Sequence, residues 1–359
     1  MPIRYASLFS GVGGLDRAID AMGGEAVVQV EREPYCLDVL ARRWPTVERV
    51  TDVRDYHPAV GTLDMIVGGP PCQPVSQAGR RKGTDDDRWL WGEALRVVRE
   101  SAARFAFFEN PLGLRTLGLD GILAELSDMG YGGAWEVVAA ADVGAPHLRK
   151  RLFILAERGR TGWEGPTRPK GNRRVLWPTP TAIERPNEGN VRLLRARVLD
   201  GTMTEDEAAG MLNGKSPFEA QGKVTAMRPP AFPFPVFPTP SASDNRDRGG
   251  IHMPAIQRRM AAGRQLNLSM TVSNERGALN PDWVEWLMGL PIGWTDVNAD
   301  ADGEPFAWES EPAIPRVGLG IPNRRQRLTA LGNAVVPQQA EFAFLRLVER
   351  LTGVEVRAA

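Results

Sequence analysis

One cysteine stands in a setting that suits a nucleophile. Residues 68–73 read Gly-Gly-Pro-Pro-Cys-Gln, so Cys72 follows two prolines that can neither extend a strand nor begin the body of an ordinary helix. Residues 64–67 form an apolar run typical of a buried parallel strand, and open α/β sheets bind ligands at the carboxyl ends of such strands. A free cysteine is more often a small buried hydrophobe. The glycines and prolines around Cys72 offer little apolar surface to bury it, so we expect a nucleophile.

A glycine-rich turn near the start of the chain is typical of a cofactor site. Residues 8–15 read Leu-Phe-Ser-Gly-Val-Gly-Gly-Leu, between a predicted strand and a predicted helix, where glycines let a cofactor approach the backbone. Such turns serve nicotinamide, flavin and S-adenosylmethionine cofactors alike. Glu31 would end the second strand, where it could accept from ribose hydroxyls, and Asp52 could accept from an adenine amino group. Judged alone, each acid is equally well explained as an ordinary turn carboxylate.

Size and composition favour a globular chain of two domains. The 359 residues are 42% hydrophobic and 25% charged, without an apolar stretch of membrane-spanning length or a secretion signal at the start. Cys36 and Cys72 are too few for a disulfide framework or a thiolate zinc site, so we expect a reducing, cytoplasmic setting. Cys36 lies on a predicted helical apolar face. His57 and His252 match no metal-ligand spacing, so no metal site is predicted.

The formal net charge of zero conceals an uneven distribution. Residues 158–275 contain 18 Lys and Arg against 11 Asp and Glu, and most of these cations are Arg. Arg suits bidentate contacts to phosphate and guanine. A basic module beside an acidic one indicates a polyanion partner, although an Arg-rich surface alone would give the same count.

The pattern of apolar runs predicts a parallel α/β sheet over residues 1–157, because short runs alternate with helical periods. The predicted strands are 3–9, 26–30, 64–67, 105–108, 135–140 and 152–156, and the predicted helices are 15–22, 35–44, 90–103 and 122–129. From about residue 158 the chain becomes rich in Pro, Gly, Asn and Arg. A capping box predicts a helix over 204–212, and helical texture returns at 283–288 and 338–351.

The chain resembles the DNA (cytosine-5) methyltransferases in five motifs that occur in the family order. They are residues 8–14, Pro-Cys-Gln at 71–73, Phe-Glu-Asn at 108–110, His-Leu-Arg-Lys-Arg at 147–151 and Leu-Gly-Asn-Ala-Val-Val-Pro at 331–337. Two positions depart from the family: His147 stands where Gln is usual, and Pro111 where Val is common. Residues 187–222 and 279–289 resemble the phage and prophage branch.

The resemblance implies a Rossmann-like, S-adenosylmethionine-dependent methyltransferase sheet with a smaller, irregular target-recognition domain. Residues 1–157 and 320–359 would form the catalytic domain, 158–300 the recognition domain and 301–319 the hinge. Cys72 would add to C6 of a flipped cytosine, Glu109 would hold a proton for N3, and Arg149 or Arg151 would supply positive charge, with Arg151 contacting O2 and Asn110 supporting the loop. The predicted S-adenosylmethionine contacts are Phe9, Gly11, Gly13, Gly14, Leu15, Glu31, Asp52, Val53, Pro70 and Asn333, with Gly332 nearby.

The expected partner is double-stranded DNA, bound by a monomer in the cytoplasm of a bacterial host. A cognate restriction endonuclease would act on the same site without binding this chain. Residues 74–92 would close over the flipped base, and Asn245, Arg246 and Arg248 would contact base edges. Two alternatives stay open: an RNA cytosine methyltransferase built on the same motifs, and a DNA-binding protein that kept the fold without catalysis.

Overall fold

An eight-stranded sheet lies at the centre of the part of the chain that the structure describes. This computed structural model describes residues 2–71, 90–166, 237–246, 249–251, 253–273, 277–301, 308 and 310–354. All of them belong to one compact unit, formed by residues 1–171 and 233–359. Cys72, most of the predicted loop 74–92, the predicted helix 204–212, Arg248 and His252 lie outside the described residues.

The strands occur in the spatial order β3-β2-β1-β4-β5-β7-β6-β8. Their bounds are β1 Ile3–Leu8, β2 Gly24–Val30, β3 Glu48–Val50, β4 Met65–Gly68, β5 Phe105–Pro111, β6 Tyr131–Val138, β7 Arg151–Arg158 and β8 Trp163–Glu164. A separate antiparallel pair joins β9 Ala278–Leu279 to β10 Val317–Gly318.

The α-helices of the described residues alternate with the first strands and then follow the sheet. They are α1 Gly14–Ala21, α2 Pro34–Arg43, α3 Trp91–Ser101, α4 Leu114–Leu117, α5 Leu119–Asp128, α6 Pro254–Ala261, α7 Leu268–Val272, α8 Pro281–Leu287, α9 Arg324–Asn333 and α10 Pro337–Thr352. The structure confirms, within a few residues, the strands and helices predicted over 1–157. It also confirms the helices predicted at 283–288 and 338–351, which are α8 and α10. No helix of these ranges is long and apolar enough to cross a membrane.

The direction of β7 corrects the prediction of a parallel sheet. This strand pairs antiparallel with both β5 and β6, whereas the other pairings in the sheet are parallel. A parallel neighbour needs a long crossover, usually helical, but an antiparallel neighbour does not. The connection from β6 to β7 contains only the short 3₁₀ helix Ala140–Val143 before the chain turns back. Apolar periodicity carries no information on strand direction, so the sequence pattern could not reveal this reversal.

Both faces of the sheet are covered, as parallel strands require. On one face Tyr5, Met65 and Phe107 pack with residues of α1 and α10, such as Leu15 and Leu347. The other face packs against α3 and α5, with the following side chains in its core: Leu8, Ile66, Phe108, Val97 and Leu126. The sheet is thereby a rigid layer whose strand ends stay at fixed positions.

A buried carboxyl joins β1, β2 and α1. Asp16 is fully buried and accepts hydrogen bonds from Ser7 Oγ at 2.8 Å and from Gln29 Nε2 at 2.9 Å. Burial raises the pKa of Asp16 to about 7, although both hydrogen bonds oppose that rise. The folded state therefore holds a proton on Asp16 at pH values where the unfolded chain has lost it.

We expect Asp16→Asn to make the protein less sensitive to alkaline pH. A carboxyl with a raised pKa in the fold contributes stability below its unfolded pKa, and that contribution is lost as pH rises through the folded pKa. The Asp16 shift should cost the wild type about 2 to 3 kcal/mol of unfolding free energy between pH 5 and pH 8. The substituted amide cannot titrate, and it can donate to Gln29 Oε1, which is buried and accepts no hydrogen bond from the described residues, once the Gln29 amide flips.

Urea denaturation at pH 5, 6, 7 and 8 measures this difference. The variant should gain on the wild type steadily as pH rises. Asp38→Asn, which neutralises an exposed carboxylate on α2, should follow the wild-type curve. Parallel curves for wild type and Asp16→Asn would show that Asp16 does not titrate in this range.

Candidate active site

Five neighbouring strands bring the predicted site residues to one edge of the sheet. The strands β3, β2, β1, β4 and β5 are parallel, so their carboxyl ends lie side by side. The residues that follow or end these strands are Asp52, Glu31, Phe9, Pro70 and Glu109. The structure therefore brings the predicted cofactor acids and the predicted catalytic acid to the same edge.

The Glu31 carboxylate is fixed by backbone amides. Its Oε2 accepts from the amide of Gly11 at 2.7 Å, and its Oε1 accepts from the amides of Arg32 and Glu33 at 2.8 Å each. Asp52 is held in a similar way, because its Oδ1 accepts from the amide of Arg54 at 3.0 Å. Glu31 Oε1 therefore already accepts two donors, whereas Glu31 Oε2 and the two Asp52 oxygens accept one each and keep a lone pair for a further donor.

The three glycines of the turn have different surroundings. Gly11 adopts a φ of 58°, and a Cβ built there would have no atom of the described residues within 4 Å, so with respect to those residues it borders open space. A Cβ on Gly13 would overlap the ring of Trp44, and a Cβ on Gly14 would overlap the carbonyl oxygen of Val335. Gly13 and Gly14 therefore serve close packing, whereas Gly11 leaves room beside the turn.

The other predicted cofactor residues are divided between surface and core. Leu15 and Val53 are buried in the cores on the two faces of the sheet. Phe9 is half-buried at the end of β1 with a positive φ of 56°. Asn333 is exposed at the end of α9, and a Cβ on the preceding Gly332 would overlap the backbone of residues 241–242.

The clearest chemical feature is an ion pair between β5 and β7. Arg151 Nε lies 2.7 Å from Glu109 Oε1, and the side chains are 17% and 8% exposed. Arg151 stands opposite Pro111 in the antiparallel register, so it is diagonal to Glu109 on the same face. A Cβ built on Gly69 would lie 3.3 Å from Glu109 Oε2, so the carboxylate also borders the Gly-Gly-Pro-Pro turn.

Burial dominates the titration of Glu109. It raises the pKa of this carboxyl above its ordinary value, and the positive charges of Arg151 and Arg149 offset only part of the rise. Glu109 therefore keeps a proton more readily than an exposed glutamate does. A carboxyl of this kind can donate a proton to a basic ring nitrogen.

Arg149 binds backbone carbonyls. Its guanidinium donates to the carbonyl oxygens of Pro240 at 2.9 Å, Gly332 at 3.1 Å and Ala334. Its own amide donates to Thr239 Oγ1 at 3.2 Å. Arg149 is 2% exposed, and it joins the start of β7 to residues 239–240 and to the end of α9.

The turn before Cys72 is anchored by Asn110. Asn110 Nδ2 donates to the Pro70 carbonyl at 2.8 Å, while its buried Oδ1 accepts no hydrogen bond from the described residues. The family resemblance gave Asn110 this supporting role. Cys72 is two residues beyond Pro70, outside the described residues, so its role stays a prediction.

His147 occupies the position where the family usually has Gln. Its ring is fully buried, and Nε2 donates to the Leu287 carbonyl at 2.8 Å. Burial, with the positive charge of Arg149, lowers the pKa of His147 to about 3, so the ring is neutral at physiological pH. His147 thus ties the segment before β7 to α8 through one hydrogen bond.

Of the residues chosen as base contacts, two are described. Asn245 Nδ2 donates to Thr329 Oγ1 at 2.8 Å, and Arg246 is exposed. Their contact with bases stays a prediction, and so does that of Arg248.

Sequence reasoning missed the residues that brace the glycine turn. Trp294 Nε1 donates to the Val12 carbonyl at 2.8 Å, and Trp44 and Val335 pack against Gly13 and Gly14. The aromatic residues were visible in the sequence, but they carry no periodic signal that would connect them with a distant turn.

A family model for the C-5 cytosine-specific DNA methylases matches residues 3–195, which is more than half of the chain. The chain therefore belongs to the C-5 cytosine-specific DNA methylases, the class of DNA (cytosine-5) methyltransferases that use S-adenosylmethionine as methyl donor. The substrate of this class is DNA.

Curated relatives match part of the chain. The type II methyltransferase M.AquIA of Picosynechococcus sp. is 34% identical in an alignment of 183 positions that covers 44% of this chain and 73% of the relative. M.HgiBI of Herpetosiphon aurantiacus is 34% identical in an alignment of 160 positions that covers 42% of this chain and 36% of that protein. M.SacI of Streptomyces achromogenes is 32% identical in an alignment of 183 positions that covers 42% of this chain and 47% of that protein. The chain thus matches less than half the length of the last two.

Solved structures share the fold. The Entamoeba histolytica methyltransferase EhMeth superposes with a TM-score of 0.52 at 14% identity, covering 98% of this chain and 99% of its own. A protein described as a DNA modification methyltransferase encoded within prophage Cp (E. coli) gives 0.50 at 19% identity, covering 97% and 99%. These likenesses confirm the Rossmann-like methyltransferase fold class.

The strand edge fits S-adenosylmethionine chemically. The two fixed carboxylates, Glu31 and Asp52, suit donors such as ribose hydroxyls and an amino group. A Cβ on Gly11 would fill the open space beside it. The glycine therefore allows a cofactor to approach the backbone closely.

Alanine substitutions should distinguish the role of Gly11, which leaves room for the cofactor, from the role of Gly14, which allows close packing against Val335. Gly11→Ala adds a methyl group to open space, with a cost of about 1 to 2 kcal/mol for its left-handed backbone. It should weaken binding of S-adenosylhomocysteine while the protein stays folded. Gly14→Ala forces its Cβ against the Val335 carbonyl, so it should lower the free energy of unfolding by about 1 to 3 kcal/mol relative to wild type.

Calorimetric titration and urea denaturation of both variants check these outcomes. Wild-type affinity in Gly11→Ala would show that the space beside Gly11 does not receive the cofactor. Wild-type stability in Gly14→Ala would show that the approach of Val335 to Gly14 is not tight.

Proposed function

We propose that this chain methylates C5 of cytosine in double-stranded DNA, with Cys72 as the nucleophile. The observation that carries the proposal is the buried Glu109–Arg151 ion pair, 2.7 Å apart, beside the glycine-proline turn that directly precedes Cys72 in the chain. A carboxyl whose pKa is raised by burial, an arginine and a thiol nearby in the chain are together groups that can activate a pyrimidine ring.

Cys72 makes cytosine reactive in this proposal. S-adenosylmethionine, when bound, supplies a methyl group on a positively charged sulfonium, toward which C5 of cytosine is too weak a nucleophile unaided. The Cys72 thiolate adds to C6, and the ring electrons shift so that C5 becomes the carbon of an enamine. After methylation the C5 proton leaves to a base, the C6–S bond breaks, and its electron pair returns to sulfur as the thiolate.

Glu109 assists the addition of the thiolate. Its carboxyl donates a proton to N3 as negative charge develops in the ring, and it recovers that proton when Cys72 is eliminated. The direction of the pKa shift of Glu109, raised by burial, supports this role because a carboxyl with a raised pKa holds its proton more readily. A free thiol with a pKa of about 8.5 is roughly a tenth ionised at pH 7.5, so positive charge near Cys72 would increase the thiolate fraction.

The two arginines take different parts. Arg151 touches the base at O2, since its pairing with Glu109 leaves further guanidinium N–H donors. Arg149 contributes positive charge near the site and holds the backbone in place. Its hydrogen bonds to the carbonyls of Pro240, Gly332 and Ala334 fix the segment that leads into β7. Arg151 is the first residue of that strand. We assign Arg149 as a positioning residue.

The cofactor site consists of Phe9, the glycine turn and the two acids. When the cofactor is bound, Phe9 would stack on adenine, Glu31 would accept from the ribose, and Asp52 would accept from the adenine amino group, with the backbone of Val53 beside it. Gly13, Gly14 and Leu15 shape this site through packing. Pro70 and Asn333 border the methionine end.

DNA recognition belongs to residues 158–300 in this proposal. The excess of Arg in 158–275 and the exposed Arg246 support it. Because the target carbon lies inside a duplex, the cytosine must be flipped out, at a cost of a few kcal/mol of stacking. Residues 74–92 close over it. The protein acts as a monomer in the cytoplasm, and any cognate endonuclease meets only the same DNA site.

A suicide substrate tests the covalent step. Fluorine at C5 cannot leave as a proton does, so DNA with 5-fluorocytosine at the site should trap the protein as a denaturation-resistant adduct when S-adenosylmethionine is present. Cys72→Ser should form no adduct. Cys36→Ser, which changes the buried cysteine of α2, should trap DNA as the wild type does.

Denaturing gel electrophoresis after incubation provides the measurement. The substrate is DNA copied from total genomic DNA with 5-fluorodeoxycytidine triphosphate in place of deoxycytidine triphosphate, so that every possible recognition sequence carries the analogue. An adduct that persists in Cys72→Ser would place the nucleophile elsewhere. Absence of any adduct in the wild type, with methylation of ordinary DNA intact, would exclude addition at C6.

A further inference from the structure

An indole from a distant part of the chain holds the glycine turn. Trp294 Nε1 donates a buried hydrogen bond of 2.8 Å to the carbonyl oxygen of Val12, and Trp294 is only 4% exposed. Val12 lies in the middle of residues 9–14, the turn assigned above to the cofactor. The bond therefore acts on the backbone whose shape decides how closely a cofactor can approach.

The ring of Trp294 also packs on the support of Gly13. Trp44 and Trp294 meet edge to face, with centroids 5.6 Å apart and planes at 83°. Trp44 is the residue that a Cβ on Gly13 would overlap. The Arg17 guanidinium lies 4.9 Å from the Trp294 ring centre, within cation–π range. Trp294 thus contacts the turn through a hydrogen bond and, indirectly, through aromatic packing.

Residues 293–296, which we call the latch turn, are fixed by a buried carboxylate. Glu285 is fully buried and accepts from the amides of Gly293 at 2.6 Å and Thr295 at 2.8 Å. Arg327 pairs with Glu285 at 2.8 Å. A buried charge is tolerated only when it is paired and hydrogen-bonded, and Glu285 meets both conditions.

Helix α2 holds the latch turn from the other side. The Arg43 guanidinium donates to the carbonyls of Gly293 at 2.7 Å and Trp294 at 3.0 Å. The Tyr35 hydroxyl donates to the carbonyl of Thr295 at 2.7 Å. With its amides and carbonyls both bound, the latch turn is a rigid support for the indole.

We propose that Trp294 is a positioning residue for the cofactor: it fixes the Val12 carbonyl and thereby keeps the turn 9–14 in its binding shape before the cofactor arrives. Order that exists before binding does not have to be created during binding, so affinity is higher. Trp294 acts through the backbone of Val12 and is assigned no contact with the cofactor. The inference rests on the proposed assignment of residues 9–14 to S-adenosylmethionine.

Trp294→Phe tests the bond, because phenylalanine keeps an aromatic ring and removes the N–H donor. Trp308→Phe is the matched control: Trp308 is 5% exposed, and its Nε1 also donates at 2.8 Å to a backbone carbonyl, that of Trp286. Calorimetric titration with S-adenosylhomocysteine should give a Kd about five- to tenfold higher in Trp294→Phe and within about twofold of wild type in Trp308→Phe. Both should lose similar stability.

Hydrogen exchange of the cofactor-free protein supplies a second measurement. Amides of residues 10–14 should exchange faster in Trp294→Phe than in Trp308→Phe. If Trp294→Phe does not fold, Tyr35→Phe takes its place, since it removes one donor to the latch turn; its Kd should rise about two- to threefold.

Three results would overturn the inference. They are wild-type affinity in Trp294→Phe, equal weakening in Trp308→Phe, and, where the substitute is used, wild-type affinity in Tyr35→Phe. Failure of the wild-type protein itself to bind S-adenosylhomocysteine would reject the cofactor assignment, and the inference with it. The two kinds of failure are therefore distinguishable by the wild-type titration.

Discussion

The pairing of Glu109 with Arg151 is the interaction on which the candidate site depends. Burying a charged group is costly unless an opposite charge lies close to it. The distance of 2.7 Å between Arg151 Nε and Glu109 Oε1 supplies that partner for both groups. Only the reversed direction of β7 permits it. In a wholly parallel sheet the first residue of β7 would lie at the edge opposite the carboxyl end of β5. The antiparallel register instead sets Arg151 diagonal to Glu109 on one face. The fold's departure from a simple βα alternation is thus what assembles the acid and the arginine.

The carboxy-terminal part of the chain completes the site by bracing it. The first five strands and the start of β7 supply the chemistry-bearing side chains, but the backbone that carries them is held by later residues. Val335 closes on Gly14, Arg149 binds the carbonyls of Gly332 and Ala334, and Trp294 binds Val12. This explains why a motif at 331–337 accompanies the cofactor and nucleophile motifs: it lies against both the glycine turn and the start of β7. Position, more than direct chemistry, is what these later segments contribute.

Much of this arrangement was readable from the sequence, for physical reasons. Apolar runs separated by helical periods predicted the strands, and the rule that ligands bind at carboxyl strand ends pointed to Cys72 and Glu31. Glu109 was identified by the Phe-Glu-Asn motif of the family resemblance. The direction of β7 could not be predicted, because the alternation of apolar residues is the same for a parallel and an antiparallel strand. The contacts of Trp294 and Arg149 were not readable either, since each joins backbone carbonyls far away in the chain. The sequence predicted Gly13 and Gly14 as cofactor residues, and it could not reveal that their missing side chains admit Trp44 and Val335. Cys72 and the domain boundaries at 158 and 300 stay predictions.

The central claim is that Glu109 carries a proton that the reaction needs, and Glu109→Gln tests it most directly. Glutamine keeps the shape and a hydrogen bond but cannot transfer a proton to N3. Single-turnover methylation should slow by about 10² to 10⁴, the usual contribution of general acid catalysis, while calorimetric binding of S-adenosylhomocysteine and gel-shift binding of DNA remain at wild-type levels. A single-turnover rate close to wild type, with binding intact, would contradict the account and separate Glu109 from the chemistry.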